Sequence, residues 1–579
     1  MQNIESEEST APDPELLTRP EPPPAAPATK QTSVARSAGI VSIAVMFSRV
    51  LGLVRETVFA YFFGAGFLYD AYVVAFRIPN VLRDLFAEGA LSAAFVKVFT
   101  DYQINKSEKE AWHLASLVLN ALAVVLSVIC IVGILFSRQF IDLVADGFSP
   151  EKAALATTLT QIMFPFILLV ALAAVAMGVL NTKGVFGIPA SASTVFNIVS
   201  IVFGVALAYW LSGGGWERSG DKNALPSGAA QWAIIGMAIG TLIGGAAQFV
   251  MQLPSLRKVG FRFQFALNFT DEGVRRVMAL MTPAILGTSA VQINVLVNTY
   301  FVSQIEGAQG WLSYAFRLMQ FPIGLFGVAI GTASVPVLSR MASEGKIKDF
   351  RDTLSSSIGL VFLMTIPSAV GLIVLGEPIV RLIYERGAFT TAATAMTALA
   401  LAGYSIGLAG YAAIKVLSPA FYALNDAKVP MVIAIASIFV NAVGSYFFRD
   451  WLSHYGVTPE TPHGYGHVGV ALATSLVALV NFVALAIFMK RKIARLNGRE
   501  IASSFFRIAG ASAVMAVVCY AAYHLLLAAF IGRTTLPFKL IEALVPIALG
   551  GVTFLLAAKI LGVSELEKLF SGLRRKLAR

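Results

Sequence analysis

Runs of about 20 apolar residues recur along this chain from position 38 to position 561, and no other feature so narrows what it can fold into. About 20 apolar residues are what an α-helix needs to cross the roughly 30 Å hydrocarbon core of a bilayer. Inside that core every backbone N–H and C=O must be satisfied within the protein, which leaves only helices and closed barrels. A barrel needs short alternating strands, and the sequence offers none. The fold class expected is therefore an all-α polytopic membrane protein. Only 13% of the residues are charged and 57% are hydrophobic, and the mean hydropathy is +0.74. Soluble domains carry about 25% charged residues, so a soluble multidomain enzyme is excluded.

Fourteen spans are predicted, near 38–63, 68–99, 111–136, 153–178, 184–211, 229–252, 275–304, 310–339, 352–375, 391–422, 428–448, 466–489, 503–530 and 538–561. An even number puts both termini on one side. Loops after even-numbered spans hold sixteen Lys and Arg, and loops after odd-numbered spans hold nine, among them Lys152. The positive-inside rule then places both termini in the cytoplasm, with the protein in the cytoplasmic (inner) membrane. The same bias accounts for the net charge of +11 without nucleic acid. Residues 1–36, Pro-rich, polar and net −3, read as a disordered cytoplasmic tail. A cleaved signal is not expected, because the first apolar run is too long for one.

The chain also repeats itself. Ala75-Phe76-Arg77 recurs as Ala315-Phe316-Arg317 and Leu85-Phe86 as Leu325-Phe326, at an offset of 240. Leu180-Asn181 with Asn197 recurs as Leu424-Asn425 with Asn441, at an offset of 244. Such an offset spans six helices, so the repeats are parallel, a transporter architecture with the substrate site between the halves. The predicted organisation is an N-terminal six-helix lobe over 37–255 and a C-terminal six-helix lobe over 256–495. Two extra transmembrane helices follow over 496–562, then a basic cytoplasmic tail over 563–579 that suits anionic membrane lipids.

Ionisable residues within the spans point to function, because each is costly there. Arg49, Arg55 and Glu56 lie in the first span, Asp70, Arg77, Arg83, Asp84 and Glu88 in the second, Arg317 in the eighth and Lys415 in the tenth. Arg49, Arg55, Arg83 and Arg317 facing lipid would together cost about 10–14 kcal/mol. They must face a watery cavity, a partner charge or a bound anion. Internal pairing is one reading: at 100° per residue Glu56 shares a helix face with Arg49, and Asp84 with Arg77. Arg317 and Lys415 have no acid nearby in their own spans, so a cavity between the halves would carry about +2 and favour an anion. Pairing and anion binding both remain open at this point. Gly64-Ala65-Gly66, Pro79 and Gly89 interrupt these spans, as backbone lining a cavity does.

Several stretches carry a resemblance. Ser48-Arg49-Val50-Leu51-Gly52-Leu53-Val54-Arg55-Glu56, Phe63-Gly64-Ala65-Gly66 with Asp70-Ala71, and Ala75-Phe76-Arg77-Ile78-Pro79-Asn80-Val81-Leu82-Arg83 come first. Phe86-Ala87-Glu88-Gly89-Ala90, Pro283-Ala284-Ile285-Leu286-Gly287, Arg317-Leu318-Met319 with Phe321-Pro322, and Lys415-Val416-Leu417 with Phe421-Tyr422 continue the series. Together they resemble the MviN/MurJ family of lipid II flippases, whose fourteen spans also match. The resemblance implies a transporter, not an enzyme, with no cofactor. It would move undecaprenyl-diphosphate-linked disaccharide-pentapeptide from inner to outer leaflet by alternating access, for cell wall synthesis. It implies a diphosphate site at Arg49, Arg55, Arg83 and Arg317, with Glu56 and Asp70 in gating, beside Arg77, Glu88 and Lys415 as charge partners. Lipid II is the partner implied, and cell-wall synthesis or division proteins are further candidates. Two departures stand out. Gln320 replaces an acid common after Arg-Leu-Met, and Asn294 and Asn298 stand where some members bind sodium through an acid.

Rival readings are another lipid-linked oligosaccharide exporter of the same fold, and a membrane glycosyltransferase using polyprenyl-diphosphate donors. The second would want carboxylates in a large outer loop, whereas the outer loops are short. No G-x-x-x-x-G-K-[ST] is present, so ATP hydrolysis is not expected. Cys130 and Cys519 lie in apolar spans and build neither a disulfide framework nor a metal site. His454, His463 and His467, read as a loop set, do not make a convincing metal site, so no metal is expected.

Overall fold

A computed structural model describes residues 28–571 except 87–89, 215–227, 460, 531, 533–534, 568 and 570. Its elements run α1 (Ala28–Phe63), α2 (Phe67–Phe86), α3 (Ala90–Asn105), α4 (Glu108–Leu135), α5 (Ser137–Val144), α6 (Pro150–Met163) and α7 (Phe166–Thr182). They continue as α8 (Gly187–Leu211), α9 (Gly228–Val250), α10 (Leu253–Lys258), α11 (Glu272–Val302) and α12 (Ala308–Pro322). A π-helical turn, Ile323–Val328, joins α12 to α13 (Ala329–Ser343). Then come α14 (Ile347–Val374), α15 (Gly376–Ile383), α16 (Thr391–Ser405), α17 (Leu408–Ala423), α18 (Lys428–Ser453), α19 (Gly466–Lys492), α20 (Gly498–Ala529) and α21 (Leu536–Ile560).

Each predicted span is occupied by a helix or a broken pair, and local chemistry sets the ends. Ser107 accepts from the Glu110 amide, Ser149 caps α6 with Pro150 in its first turn, and Asp271 accepts from the Gly273 and Val274 amides. Pro165 divides the fourth span into α6 and α7, and the tenth bends by 43° between α16 and α17. Pro79, expected to interrupt the second span, lies inside a continuous α2, since one missing N–H removes a single hydrogen bond. The first helix begins at Ala28, so the last residues of the expected tail are helical. Among the described residues ten helices are long and apolar enough to cross a membrane, or eleven with the bent pair. The predicted fourteen would also need α1, the α2–α3 pair and α11, three segments that carry or adjoin the charges.

The repeat is visible in packing. Within the first lobe α1 packs on α8, α2 on α6, α3 on α7 and α8 on α9; ten elements later α11 packs on α18, α12 on α16, α13 on α17 and α18 on α19. The asparagines matched by sequence act alike. Asn197 on α8 donates to the Ser48 carbonyl of α1 (3.3 Å), and Asn441 on α18 donates to the Asn294 carbonyl of α11 (3.2 Å). The last two helices, α20 and α21, pair with each other and lie on α14.

The α8–α9 contact rests on small residues. A Cβ added to Gly236 would stand 2.4 Å from the Ala208 nitrogen, one at Gly240 2.3 Å from the Gly204 Cα, and one at Gly244 2.2 Å from the Ser200 hydroxyl. A glycine every fourth residue lets two backbones touch, which is how helices associate where apolar burial gives no drive. Large apolar side chains such as Phe439, Val517 and Leu525 point outward, the surface a bilayer covers.

Candidate functional site: a cationic cavity between the lobes

A cavity of about 760 Å³ lies between the two lobes, and Arg49, Arg55, Arg77, Arg83 and Arg317 all line it. Glu56 and Asp84 are the carboxylates among its described lining residues, so its walls carry a net +3. The repeated Phe-Arg pair explains the convergence: Phe76-Arg77 on α2 and Phe316-Arg317 on α12 face the same space from opposite sides. The C-terminal wall adds amides and hydroxyls. Asn294 donates to Ser437 (3.1 Å), Asn298 to Thr474 (3.0 Å) and Asn441 to the Asn298 side chain (2.9 Å), tying α11 to α18 and α19.

The ion pairs differ from those helical geometry predicted. Glu56, 6% exposed, takes Arg55 Nη2 (3.3 Å) and Arg317 Nη2 (3.0 Å) on one oxygen. Tyr69 donates to its other oxygen at 2.6 Å. Asp84 takes Arg83 Nη2 (2.7 Å) and accepts from Gln292 Nε2 across the lobes (3.0 Å). The expected Arg49–Glu56 and Arg77–Asp84 pairs are absent. Seven residues share a face but stand about 10.5 Å apart along the axis, so nearer partners win. Arg317, which has no acid in its own span, finds one in the other lobe. Arg49 and Arg77 form no ion pair among the described residues. Arg55, 9% exposed, lies over the Phe196 ring (5.2 Å), and its buried Nε has no hydrogen-bond partner. A buried donor left unmatched is costly unless something else supplies the acceptor.

Arg49 reaches from α1 to the π-helical turn of the opposite lobe. A Cβ at Gly324 would stand 1.6 Å from Arg49 Nη1 and 2.4 Å from its Cζ. Only glycine at 324 leaves room for this guanidinium. A π-turn at such a place is a frequent mark of a functional site.

The cavity is closed on the face formed by loops after odd-numbered spans. Asp70, fully buried at the start of α2, accepts from the Gly307 amide (2.8 Å) and the Gly310 amide (2.8 Å) at the start of α12. Lys152 Nζ binds Asp70 at 2.9 Å and Glu306 at 2.8 Å. Beneath this cluster Tyr69 stacks on Tyr314 with ring centroids 4.6 Å apart, and Tyr314 donates to the Gly64 carbonyl (3.0 Å). The Ala388 amide donates to the Tyr61 carbonyl (2.8 Å). On the opposite face α3 meets α11, where Arg276 pairs with Asp101 (2.5 Å).

The structure therefore brings together Arg49, Arg55, Glu56, Arg77, Arg83 and Arg317, and places Asp70 at the seal. Lys415 stands apart: it is exposed on α17, outside the cavity lining, so the expected +2 from Arg317 and Lys415 is replaced by a +3 that comes from five arginines against two carboxylates. Glu88 lies outside the described residues. Lys152, counted as a loop charge, is buried at 2% exposure. His467, grouped with loop histidines, is buried in the first turn of α19 against Trp311 and bonds the Met396 carbonyl through Nε2 (3.0 Å). Tyr69, Tyr314 and Glu306 were not signalled by the sequence, because each owes its place to the opposite lobe.

Two parallel lobes around a cationic cavity, sealed at one end, define a polytopic membrane transporter rather than an enzyme. The same fold is found in a multidrug MATE-family transporter in an inward-facing conformation, at 13% identity and a TM-score of 0.62 over 79% of this chain and 98% of that one. The chain belongs to the lipid II flippase MurJ family, whose sequence pattern matches residues 59–540. The lipid II flippase MurJ of Burkholderia cenocepacia is 37% identical over 71% of this chain and 78% of its own. A probable lipid II flippase MurJ of Buchnera aphidicola is 33% identical over 91% of this chain and 97% of its own. A solved structure of lipid II flippase MurJ in an inward closed conformation matches with a TM-score of 0.71 and 28% identity, covering 93% of this chain and 99% of that one.

Proposed function

We propose that this protein flips lipid II, carrying the undecaprenyl-diphosphate-linked peptidoglycan precursor from the inner to the outer leaflet of the cytoplasmic membrane. The observation that carries the reading is the cavity of net +3, with arginines from both lobes and a buried Arg55 Nε awaiting an acceptor. Planar guanidiniums bind phosphate oxygens in pairs, which suits a diphosphate. Arg49, Arg55, Arg83 and Arg317 hold it, Arg77 adds charge, and Glu56 is their counter-ion while the cavity is empty. A diphosphate arriving at Arg55 and Arg317 competes with Glu56 and so loosens a contact that joins the lobes. Substrate binding and lobe movement are coupled through that carboxylate.

Asp70 gates the odd-loop face, and the positive excess on the opposite loops makes that face periplasmic, with both termini cytoplasmic. The closed seal then describes a state turned away from the periplasm. The lobes 37–255 and 256–495 rock against each other, with 496–562 riding on the second. Cell-wall synthesis or division proteins are the partners this role invites.

Two experiments test the reading. Labelled lipid II incubated with the purified protein in liposomes should cross between leaflets without glycan polymer; polymer would mean a glycosyltransferase. Single cysteines at Gly214 and Ser453 should react with an impermeant thiol reagent outside spheroplasts, and those at Ser343 and Gly498 should resist it. Reversed labelling overturns the orientation.

A further inference from the structure

Asp70 has three donors in the sealed state, and two of them, the Gly307 and Gly310 amides, belong to the opposite lobe. The third is Lys152, whose helix α6 packs on α2 within the same lobe. Lys152 also holds Glu306 of the opposite lobe, a side chain already 47% exposed. Its ammonium sits 4.6 Å from the Phe148 ring centroid, which screens the pair from water.

When the lobes part, Asp70 loses both amides and Glu306 passes into water at little cost. A carboxylate that gave up both amides with no partner left in its own lobe would resist that step. Lys152 travels with Asp70 and keeps it paired. We propose that Lys152 is the switch cation of the seal: it neutralises Asp70 in both states and trades Glu306 for solvent when the face opens. Lys152 and Glu306 are positioning residues for transport, and they act in opposite directions. Lys152 permits opening and Glu306 favours closure. The inference rests on the two-lobe rocking of the proposed cycle.

The test reads lobe separation directly, so it is independent of the cargo and of which way the face points. Spin labels at Asp146 and Thr391, exposed on the two lobes beside the seal, report the distance across it. The native Cys130 and Cys519 are buried. Lys152→Met should leave Asp70 dependent on the far lobe, removing the long-distance population and stopping flipping. Glu306→Gln should raise the open-to-closed ratio by about two- to fivefold, the range a partly exposed ion pair supplies. Asp70→Asn combined with Lys152→Met removes the stranded charge and should restore the long-distance population. If Lys152→Met and Glu306→Gln shift the distances in the same direction, or Glu306→Gln leaves them unchanged, the proposal is wrong. The Glu306→Gln and double-variant arms decide the matter even where Lys152→Met fails to accumulate. Distances that shift as stated in every variant, with no lipid II transport by the unmodified protein, would instead count against the flippase reading alone.

Discussion

Gly324→Ala should disable the cavity without harming the fold. The new Cβ would lie 1.6 Å from Arg49 Nη1, 2.4 Å from its Cζ and 2.8 Å from Nη2. A carbon and a nitrogen in contact need about 3.5 Å, so the guanidinium must retreat by about 2 Å. The backbone need not move, because the obstructing atoms are the far end of a flexible side chain. Alanine is also a better helix residue than glycine by about 0.5–1 kcal/mol, so folded protein should be unchanged or more abundant. On the proposed binding role, Arg49 displaced by about 2 Å would lose a charge-assisted bond to the diphosphate, worth about 1.5–3 kcal/mol. Lipid II binding should therefore weaken about ten- to a hundredfold. The assay is lipid II affinity of purified Gly324→Ala, Arg49→Ala and the double variant. The double variant should bind no more weakly than Arg49→Ala, since both changes remove one interaction. Wild-type affinity in Gly324→Ala, or full additivity in the double variant, refutes the reasoning.

Other outcomes follow from the same geometry. Cysteines at Ala65 and Gly310, whose Cβ atoms would stand 3.1 Å apart, lie near the reach of a disulfide; oxidation should stop flipping and reduction restore it, and unimpaired flipping when oxidised means the seal does not open. Glu56→Gln should cost about 3–5 kcal/mol by stranding Arg55 and Arg317, read as lost folded protein in thermal melts; adding Arg317→Gln should recover abundance but not transport, and unchanged melts would deny the pairing. Gly240→Leu should force α8 from α9 and abolish folded protein, since its Cβ alone would stand 2.3 Å from Gly204; a stable variant would show that the helices do not pack this closely. Arg55→Lys keeps the charge but loses the planar fork, so it should bind lipid II between wild type and Arg55→Ala; equal binding by all three removes Arg55 from the site.

Much of the frame was legible because membranes impose simple rules. Span positions followed from apolar run length, and the repeat from Phe76-Arg77 and Phe316-Arg317, which do face one cavity. The small-residue stripe Gly236, Gly240 and Gly244 was equally present in the sequence, although its meaning needed the facing Ser200, Gly204 and Ala208. Pairing was less legible. Same-face logic chose Arg49 for Glu56, but it knows nothing of other helices, and Arg317 arrived from another lobe. Lys152 shows the limit most clearly. Ser149-Pro150-Glu151-Lys152 reads as an exposed helix start, and it is one, yet the docking of Glu306 and Asp70 buries the lysine. Lys415 errs the other way, an intramembrane cation that sequence alone draws into the cavity and packing leaves outside. Charges are easy to find in such a chain; their partners depend on tertiary contacts between segments far apart in sequence.

The central claim is that these arginines grip lipid II so that it can change leaflets. The most direct measurement is leaflet-resolved lipid II in cells depleted of this protein and supplied with wild type, Arg55→Ala or Arg317→Ala, each normalised to folded protein. Lipid II should accumulate in the inner leaflet on depletion, return to the outer leaflet with wild type, and stay inside with either variant. An unchanged leaflet distribution on depletion, or full rescue by Arg55→Ala and Arg317→Ala, would contradict it.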